Sequence, residues 1–69
     1  MENKEFLKEM GKRIRVIRLS KGLILRDISK ATGYDKDALG DIELGRCSSR
    51  ILTLKAIADV LEVDVKDFL

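Results

Sequence analysis

The sequence predicts an all-α fold, a compact bundle of about five short helices in a single domain of residues 1–69. Apolar residues recur at spacings of three and four along most of the chain, which is typical of helices buried on one face. Glycines follow several of these segments, and the chain has no proline to interrupt a helix. So short a chain buries only about 60% of the surface that its unfolded form exposes, so one small core is expected.

The first helix is predicted to begin at Asn3, whose side chain can cap it, and to end at Lys21 and Gly22. Lys21 places a cation near the negative end of the helix dipole, and Gly22 accepts a left-handed backbone. The inward stripe is predicted to consist of Phe6, Leu7, Met10, Ile14 and Ile17.

The next two helices are short and are separated by a glycine turn. The second is predicted over about residues 25–32, and Gly33 ends it. Asp35 is predicted to cap the third helix, which ends at Gly45. The predicted inward residues are Ile28 and Ala31 in the second helix and Ala38, Leu39 and Ile42 in the third.

The C-terminal third of the chain predicts one longer helix and a final helical turn. Ser48 or Ser49 can cap the fourth helix, and Asp64, with Asp67 three residues on, opens the last turn. One face of the fourth helix is predicted to carry Ile51, Leu54, Ile57, Ala58 and Leu61, and the last turn bears Val65, Phe68 and Leu69.

Two short helices joined by a tight glycine turn form the skeleton of a helix-turn-helix motif, here at about residues 24–43. The second helix of such a motif enters the major groove of DNA, and the first lies across the backbone. Ser29, four residues before Gly33, supplies the small side chain that the helix crossing needs. The outward side of the predicted reading helix, residues 35–44, carries Lys36, Asp37, Gly40, Asp41 and Leu44.

The sequence resembles the lambda-repressor-like helix-turn-helix family, of the Cro/repressor or Xre type, over nearly all of the chain after residue 10. The matching segments are "GKRIRVIR" at 11–18, "KGL" at 21–23, "TGY" at 32–34, "DIELGR" at 41–46 and "TLKAIADVLEV" at 53–63. The resemblance implies that Arg18 pairs with Glu43 and locks the first helix to the reading helix. Independently, both residues border facing apolar stripes, although each also suits a solvated surface charge.

The reading helix departs from the family pattern. Gly40 and Asp41 stand where serine and arginine are common, and Leu44 takes a place that is often basic. Ile24 and Leu25 replace the usual Ser-Gln pair, and Cys47, Ser48, Ser49 and Arg50 replace an Arg-Asn-Pro-Ser loop. An acidic surface is unexpected against DNA, because an aspartate ~6 Å from a phosphate is repelled by ~0.7 kcal/mol even at the dielectric of water.

Other residues still suit DNA. Aspartate can accept a hydrogen bond from the N4 amino group of cytosine, and apolar side chains can pack on the thymine methyl group. The predicted base-facing residues are Lys36, Asp37, Gly40, Asp41 and Leu44. The predicted phosphate-facing positions are Leu25, Arg26, Lys30, Arg46 and Arg50, of which the basic ones equally suit plain solubility charges.

Two functions stay open at this point. The first is a sequence-specific DNA-binding transcriptional regulator, a homodimeric repressor that reads the major groove. The second is a helix-turn-helix fold used as a protein-interaction module, an antagonist or partner of another regulator, which the outward Leu25 and Leu44 favour. An enzyme is not expected, since the sequence has no histidine, one cysteine and no phosphate-binding glycine loop.

Double-stranded DNA and a second copy of the chain are the expected partners. The predicted dimer surface contains Val60, Val63, Val65, Phe68 and Leu69, although the last two also suit closure of the monomer core. No cofactor and no metal are expected, because the chain lacks histidine and Cys47 is its single thiol. The apolar runs are too short for a membrane span, and a lone free thiol fits a reducing compartment, so a cytoplasmic protein is expected.

Overall fold

A computed structural model describes residues 3–69, which form four α-helices and a C-terminal 3₁₀ turn. The elements are α1 (Asn3–Ser20), α2 (Leu25–Thr32), α3 (Lys36–Glu43), α4 (Ile51–Leu61) and the 3₁₀ turn Val65–Phe68. The described residues contain no strand, and the predicted all-α class is confirmed. The predicted count of five helices is slightly wrong, because the last segment completes only one 3₁₀ turn.

One apolar core joins the helices. α1 packs on α3 and on the C-terminal 3₁₀ turn, and α2 packs on both α3 and α4. The core side chains are Met10, Ile14, Ile28, Leu39, Ile42, Leu54, Ile57, Ala58, Leu61 and Phe68. Burial of these side chains supplies the main stabilising term for so small a domain, because each apolar side chain removed from water contributes about 1.5–3 kcal/mol.

The backbones of α1 and α3 approach each other unusually closely. A Cβ atom on Gly11 would lie 2.4 Å from the carbonyl oxygen of Ile42, and one on Gly45 would lie 2.7 Å from Cα of Lys8. Gly45 also has a φ of +72°, which disfavours side chains with a Cβ atom. Both glycines are therefore required for the position of α3 against α1.

Four residues of the predicted inward stripes are exposed instead. Phe6 and Ile51 lie in the first turns of α1 and α4 and are 44% and 63% exposed. Ala31 and Ala38 lie on α2 and α3, which have eight residues each and bury only one and two apolar side chains.

Two of the predicted helix caps are wrong. Asn3 lies within the first turn of α1 rather than before it. Neither Ser48 nor Ser49 caps α4, because the helix begins after Arg50, whose side chain makes no capping hydrogen bond. The final turn does begin as predicted, with the Asp64 N–H donating to the Asp67 carboxylate over 3.0 Å. No helix within residues 3–69 is both long enough and apolar enough to cross a membrane.

Candidate nucleic-acid interface

The turn between α2 and α3 is held by a local set of hydrogen bonds. Gly33 has a φ of +81°, and its N–H donates to the Ser29 carbonyl over 2.8 Å. The Ser29 hydroxyl donates to the Tyr34 carbonyl over 2.6 Å, while the Tyr34 N–H donates to the Thr32 hydroxyl over 3.2 Å. Ser29 thus fastens the turn, which sets the direction in which α3 leaves α2.

A bidentate ion pair joins α1 to the end of α3. The Arg18 guanidinium donates to Glu43 through Nε at 2.7 Å and Nη2 at 3.0 Å, and through Nη1 to the Leu23 carbonyl at 2.8 Å. The two side chains are only 9% and 7% exposed. The hydrogen bonds that Arg18 donates to the Glu43 carboxylate raise the pKa of Arg18, an effect that burial opposes in part. The pair that the family resemblance implies is present, and it fixes α3 relative to the core.

The predicted base-facing residues form one continuous surface, here called the reading face. It consists of Lys36, Asp37, Gly40, Asp41 and Leu44. Together with Leu25 and Arg46, these residues line a single shallow depression. Three other predicted phosphate-facing residues are also exposed but do not line this depression, namely Arg26, Lys30 and Arg50.

Structural contacts account for most of the acidic side chains in and around α3. The Asp35 carboxylate caps the helix as predicted, accepting from the N–H groups of Asp37 at 3.1 Å and Ala38 at 3.3 Å. Asp37 has no ion-pair partner within residues 3–69, but it lies in the first turn, where the helix dipole favours a negative charge. Asp37 therefore presents the least compensated charge of the reading face.

Asp41 is paired with Arg46, which follows the glycine at the end of α3. Its Oδ1 lies 3.6 Å from Nη1 of Arg46, and both side chains are largely solvated. The Arg46 N–H also donates to the Asp41 carbonyl over 2.9 Å, and the Gly45 N–H donates to the Ile42 carbonyl over 3.1 Å. These two bonds form a Schellman motif, so the backbone itself brings Arg46 back beside Asp41. This ion pair was not among the contacts predicted from the sequence.

The helices on either side of α3 begin without a side-chain cap. Ile24 precedes α2 and offers no capping oxygen, although its own N–H donates to the Asp27 carboxylate over 2.9 Å. Arg50 precedes α4 and likewise makes no capping bond. Leu25, the first residue of α2, borders the reading face, and Arg50 borders Tyr34 and Ala38 on the other side of α3. Uncapped helix N-termini attract anions such as phosphate.

Arg15 is a further candidate contact, which was not among the residues predicted from the sequence. Arg15 is exposed on α1 and lines a second shallow depression that shares Leu25, Gly40 and Leu44 with the first. The sequence does carry a signal for this position: Arg15 precedes Arg18 by three residues, and residues at this spacing lie on the same side of a helix.

The predicted dimer residues differ in exposure. Phe68 has 0% exposure, so its assignment to a dimer surface is wrong: the 3₁₀ turn packs on α1 and α4 and encloses the ring. Leu69 is 54% exposed, while its backbone oxygen accepts a 2.8 Å hydrogen bond from Arg13. Val60, Val63 and Val65 are partly buried against the core.

Cys47 is free and exposed in the loop before α4. Within residues 3–69, no three potential metal-ligating side chains of the His, Cys, Asp or Glu type lie together.

The chain belongs to a family of helix-turn-helix domains, whose family model matches residues 9–68. This family comprises DNA-binding transcriptional regulators, and the recognised resemblance to the Xre and lambda-repressor type is confirmed. None of the curated proteins matches the chain.

Three solved structures share the fold. The restriction-modification controller protein C.AhdI from Aeromonas hydrophila is 24% identical, with a TM-score of 0.87 over 91% of this chain and 96% of that one. The DNA-binding domain of BldD is 27% identical, with a TM-score of 0.85 over 100% and 99% of the two chains. An HTH_3 family transcriptional regulator from Vibrio cholerae is 34% identical, with a TM-score of 0.88 over 97% of this chain. The match spans only 38% of that regulator.

Proposed function

We propose that this chain is a sequence-specific DNA-binding repressor that acts as a homodimer and inserts α3 into the major groove. The observation that carries the proposal is the position of the reading face between the uncapped N-termini of α2 and α4. Phosphates on both sides of the groove then meet backbone N–H groups, while the α3 side chains meet base edges. The similarity to the BldD DNA-binding domain and to the Vibrio regulator supports this assignment.

The cations around the reading face supply the sequence-independent part of the affinity. Arg46 and Lys36 lie on its depression, and Arg15 lies on the adjoining one. Arg26 and Arg50 are exposed near the beginnings of α2 and α4. Each phosphate that such a side chain neutralises releases condensed counterions, so binding is expected to weaken steeply with salt.

In this proposal the acidic residues of the reading face discriminate between cognate and non-cognate DNA. Asp37 and Asp41 repel phosphates of non-cognate DNA, and in a cognate site they can accept from the amino group of cytosine. Asp37→Asn/Asp41→Asn should therefore strengthen binding to random DNA by about 1–3 kcal/mol, the Coulomb range at ~6 Å. Binding to the cognate site should gain less or fall. Equal gains on both kinds of DNA would exclude a role in sequence readout.

Selection from a pool of random duplexes tests the proposal directly. The wild-type chain should enrich a palindromic sequence whose half-sites are centred about one helical turn, ~34 Å, apart. Fluorescence anisotropy with the enriched duplex should show an affinity that falls linearly in a log–log plot against salt concentration. A folded chain that enriches no sequence and shows no salt-sensitive binding would contradict the proposal.

A protein-interaction module is the second candidate, because part of the reading face is apolar. Leu44 is 52% exposed beside Leu25, and Ile24 is 55% exposed. Adjacent exposed apolar side chains often mark a protein contact. In this case Leu25→Ser/Leu44→Ser should abolish binding to a regulatory protein while the wild-type chain shows no salt-sensitive affinity for DNA.

A further inference from the structure

An apolar recess lies in the middle of the reading face. Gly40 leaves a gap between Leu25, which is half-buried against the core, and the exposed Leu44. A Cβ atom on Gly40 would meet only Cδ1 of Leu25, at 3.5 Å, which is an ordinary van der Waals contact. The recess therefore has room for about one methyl group, and helix packing does not require glycine at this position.

The surroundings of the recess are charged. Arg15 lines the depression on one side of it, and Lys36 and Arg46 line the depression on the other. Two carboxylates share that second depression: Asp41, which is paired with Arg46, and Asp37. The three cations outnumber the two carboxylates, so a small apolar gap among them is complementary to a polyanion that presents a small apolar group. The major groove of DNA has this character, since thymine displays its 5-methyl group there among the polar edges of the other bases.

We infer that the recess of Leu25, Gly40 and Leu44 receives the 5-methyl group of a thymine and so specifies that base in each half-site. The inference rests on the proposed function, because it requires α3 in the major groove. Leu25 and Leu44 supply the apolar walls. Gly40 lacks a side chain, so the edge of the base pair comes close to the α3 backbone.

Replacement of thymine by uracil tests the inference, because the two bases differ only by this methyl group. The duplex obtained by selection is synthesised with each thymine replaced in turn, and binding is measured by fluorescence anisotropy. Removal of one buried methyl group should weaken wild-type binding about fourfold at one position of each half-site, which corresponds to ~0.8 kcal/mol. Simultaneous replacement in both half-sites should weaken it roughly sixteenfold, if the two free-energy contributions are additive.

Two variants connect the effect to the recess. Gly40→Ala fills the gap with the protein's own methyl group, and Leu44→Ser removes one wall, so both should bind the thymine and uracil duplexes equally. Leu19→Ser is the matched control, since Leu19 is 54% exposed on α1, as Leu44 is 52% exposed, but it lines neither depression. This control should keep the wild-type preference for thymine.

The outcomes separate the inference from the function on which it depends. Specific, salt-sensitive binding with no thymine whose methyl group matters would overturn the recess assignment and leave the repressor proposal standing. Retention of the full thymine preference in Gly40→Ala would overturn it as well. Absence of binding to any duplex would refute the repressor proposal itself, and with it the inference, in favour of a protein partner at this surface.

Discussion

A double-mutant cycle on Arg18 and Glu43 measures how strongly α1 is coupled to the reading helix. Arg18→Met and Glu43→Leu remove the charges while keeping much of the side-chain volume. Each single substitution leaves the other charge inside a site where the native side chains are only 9% and 7% exposed. Such an uncompensated buried charge costs about 3–5 kcal/mol. The total stability of a 69-residue domain is only about 3–10 kcal/mol, so either single variant should be close to unfolding.

The double variant should be more stable than both single variants. It leaves no buried charge, and its main remaining penalty is the Leu23 carbonyl, which loses its 2.8 Å hydrogen bond from Arg18. An unpaired carbonyl costs about 1–3 kcal/mol, which sets the expected loss for the double variant. The interaction energy between the two positions should therefore reach about 3 kcal/mol or more.

Urea denaturation followed by far-ultraviolet circular dichroism gives the four free energies of unfolding. The Lys55–Asp59 pair on α4 is the control, because its side chains are 62% and 61% exposed. That surface pair should show an interaction energy of only about 0.3–0.5 kcal/mol. An Arg18–Glu43 interaction energy no larger than that of the control would refute the claim that the buried pair locks α3 in place.

Further predictions separate stability from assembly. Gly11→Ala should lower the free energy of unfolding by at least about 1–3 kcal/mol, because the new methyl group would lie 2.4 Å from a backbone oxygen of α3. Gly40→Ala should raise the free energy of unfolding by about 1 kcal/mol, because alanine has a higher helix propensity than glycine. Thermal unfolding measures both variants, and a shift of their midpoints in the same direction would contradict this reasoning. Phe68→Ala should cost about 3–5 kcal/mol, whereas Leu69→Glu should stay within about 0.5 kcal/mol of the wild type. If the exposed Leu69 belongs to the dimer surface, sedimentation should show a wild-type dimer and a monomeric Leu69→Glu; an unchanged assembly state would remove Leu69 from that surface.

Local features of the sequence were sufficient to predict most helix boundaries. α2 spans Leu25–Thr32 as expected, Gly33 and Gly45 end α2 and α3, and Asp35 caps α3. These features depend on interactions among residues no more than about five positions apart. A glycine that accepts a positive φ, or a carboxylate that reaches the next turn, acts in the same way whatever packs around it.

The candidate site was predictable in its composition but not in its arrangement. The sequence placed the five reading-face residues on one side of a helix, because helical periodicity alone determines that. It did not reveal that Arg46 folds back onto Asp41 or that Arg15 on α1 lies beside Gly40. The position of Arg15 comes from the crossing of α1 over α3, which no local pattern encodes. The Asp41–Arg46 pair is local and follows from the Schellman motif that Gly45 permits.

Burial at the edges of the core was decided only by the tertiary structure. Phe6 and Phe68 each continue an apolar pattern, yet the first is 44% exposed and the second is completely enclosed. Periodicity identifies the face of a helix that turns inward, but it carries no information about how far the neighbouring helix extends. The 3₁₀ turn lies against α1 and α4 and therefore covers Phe68, whereas the described residues leave Phe6 at the start of α1 largely uncovered. Sequence alone thus determined the local helical geometry, and packing between distant segments decided which side chains that geometry removes from water.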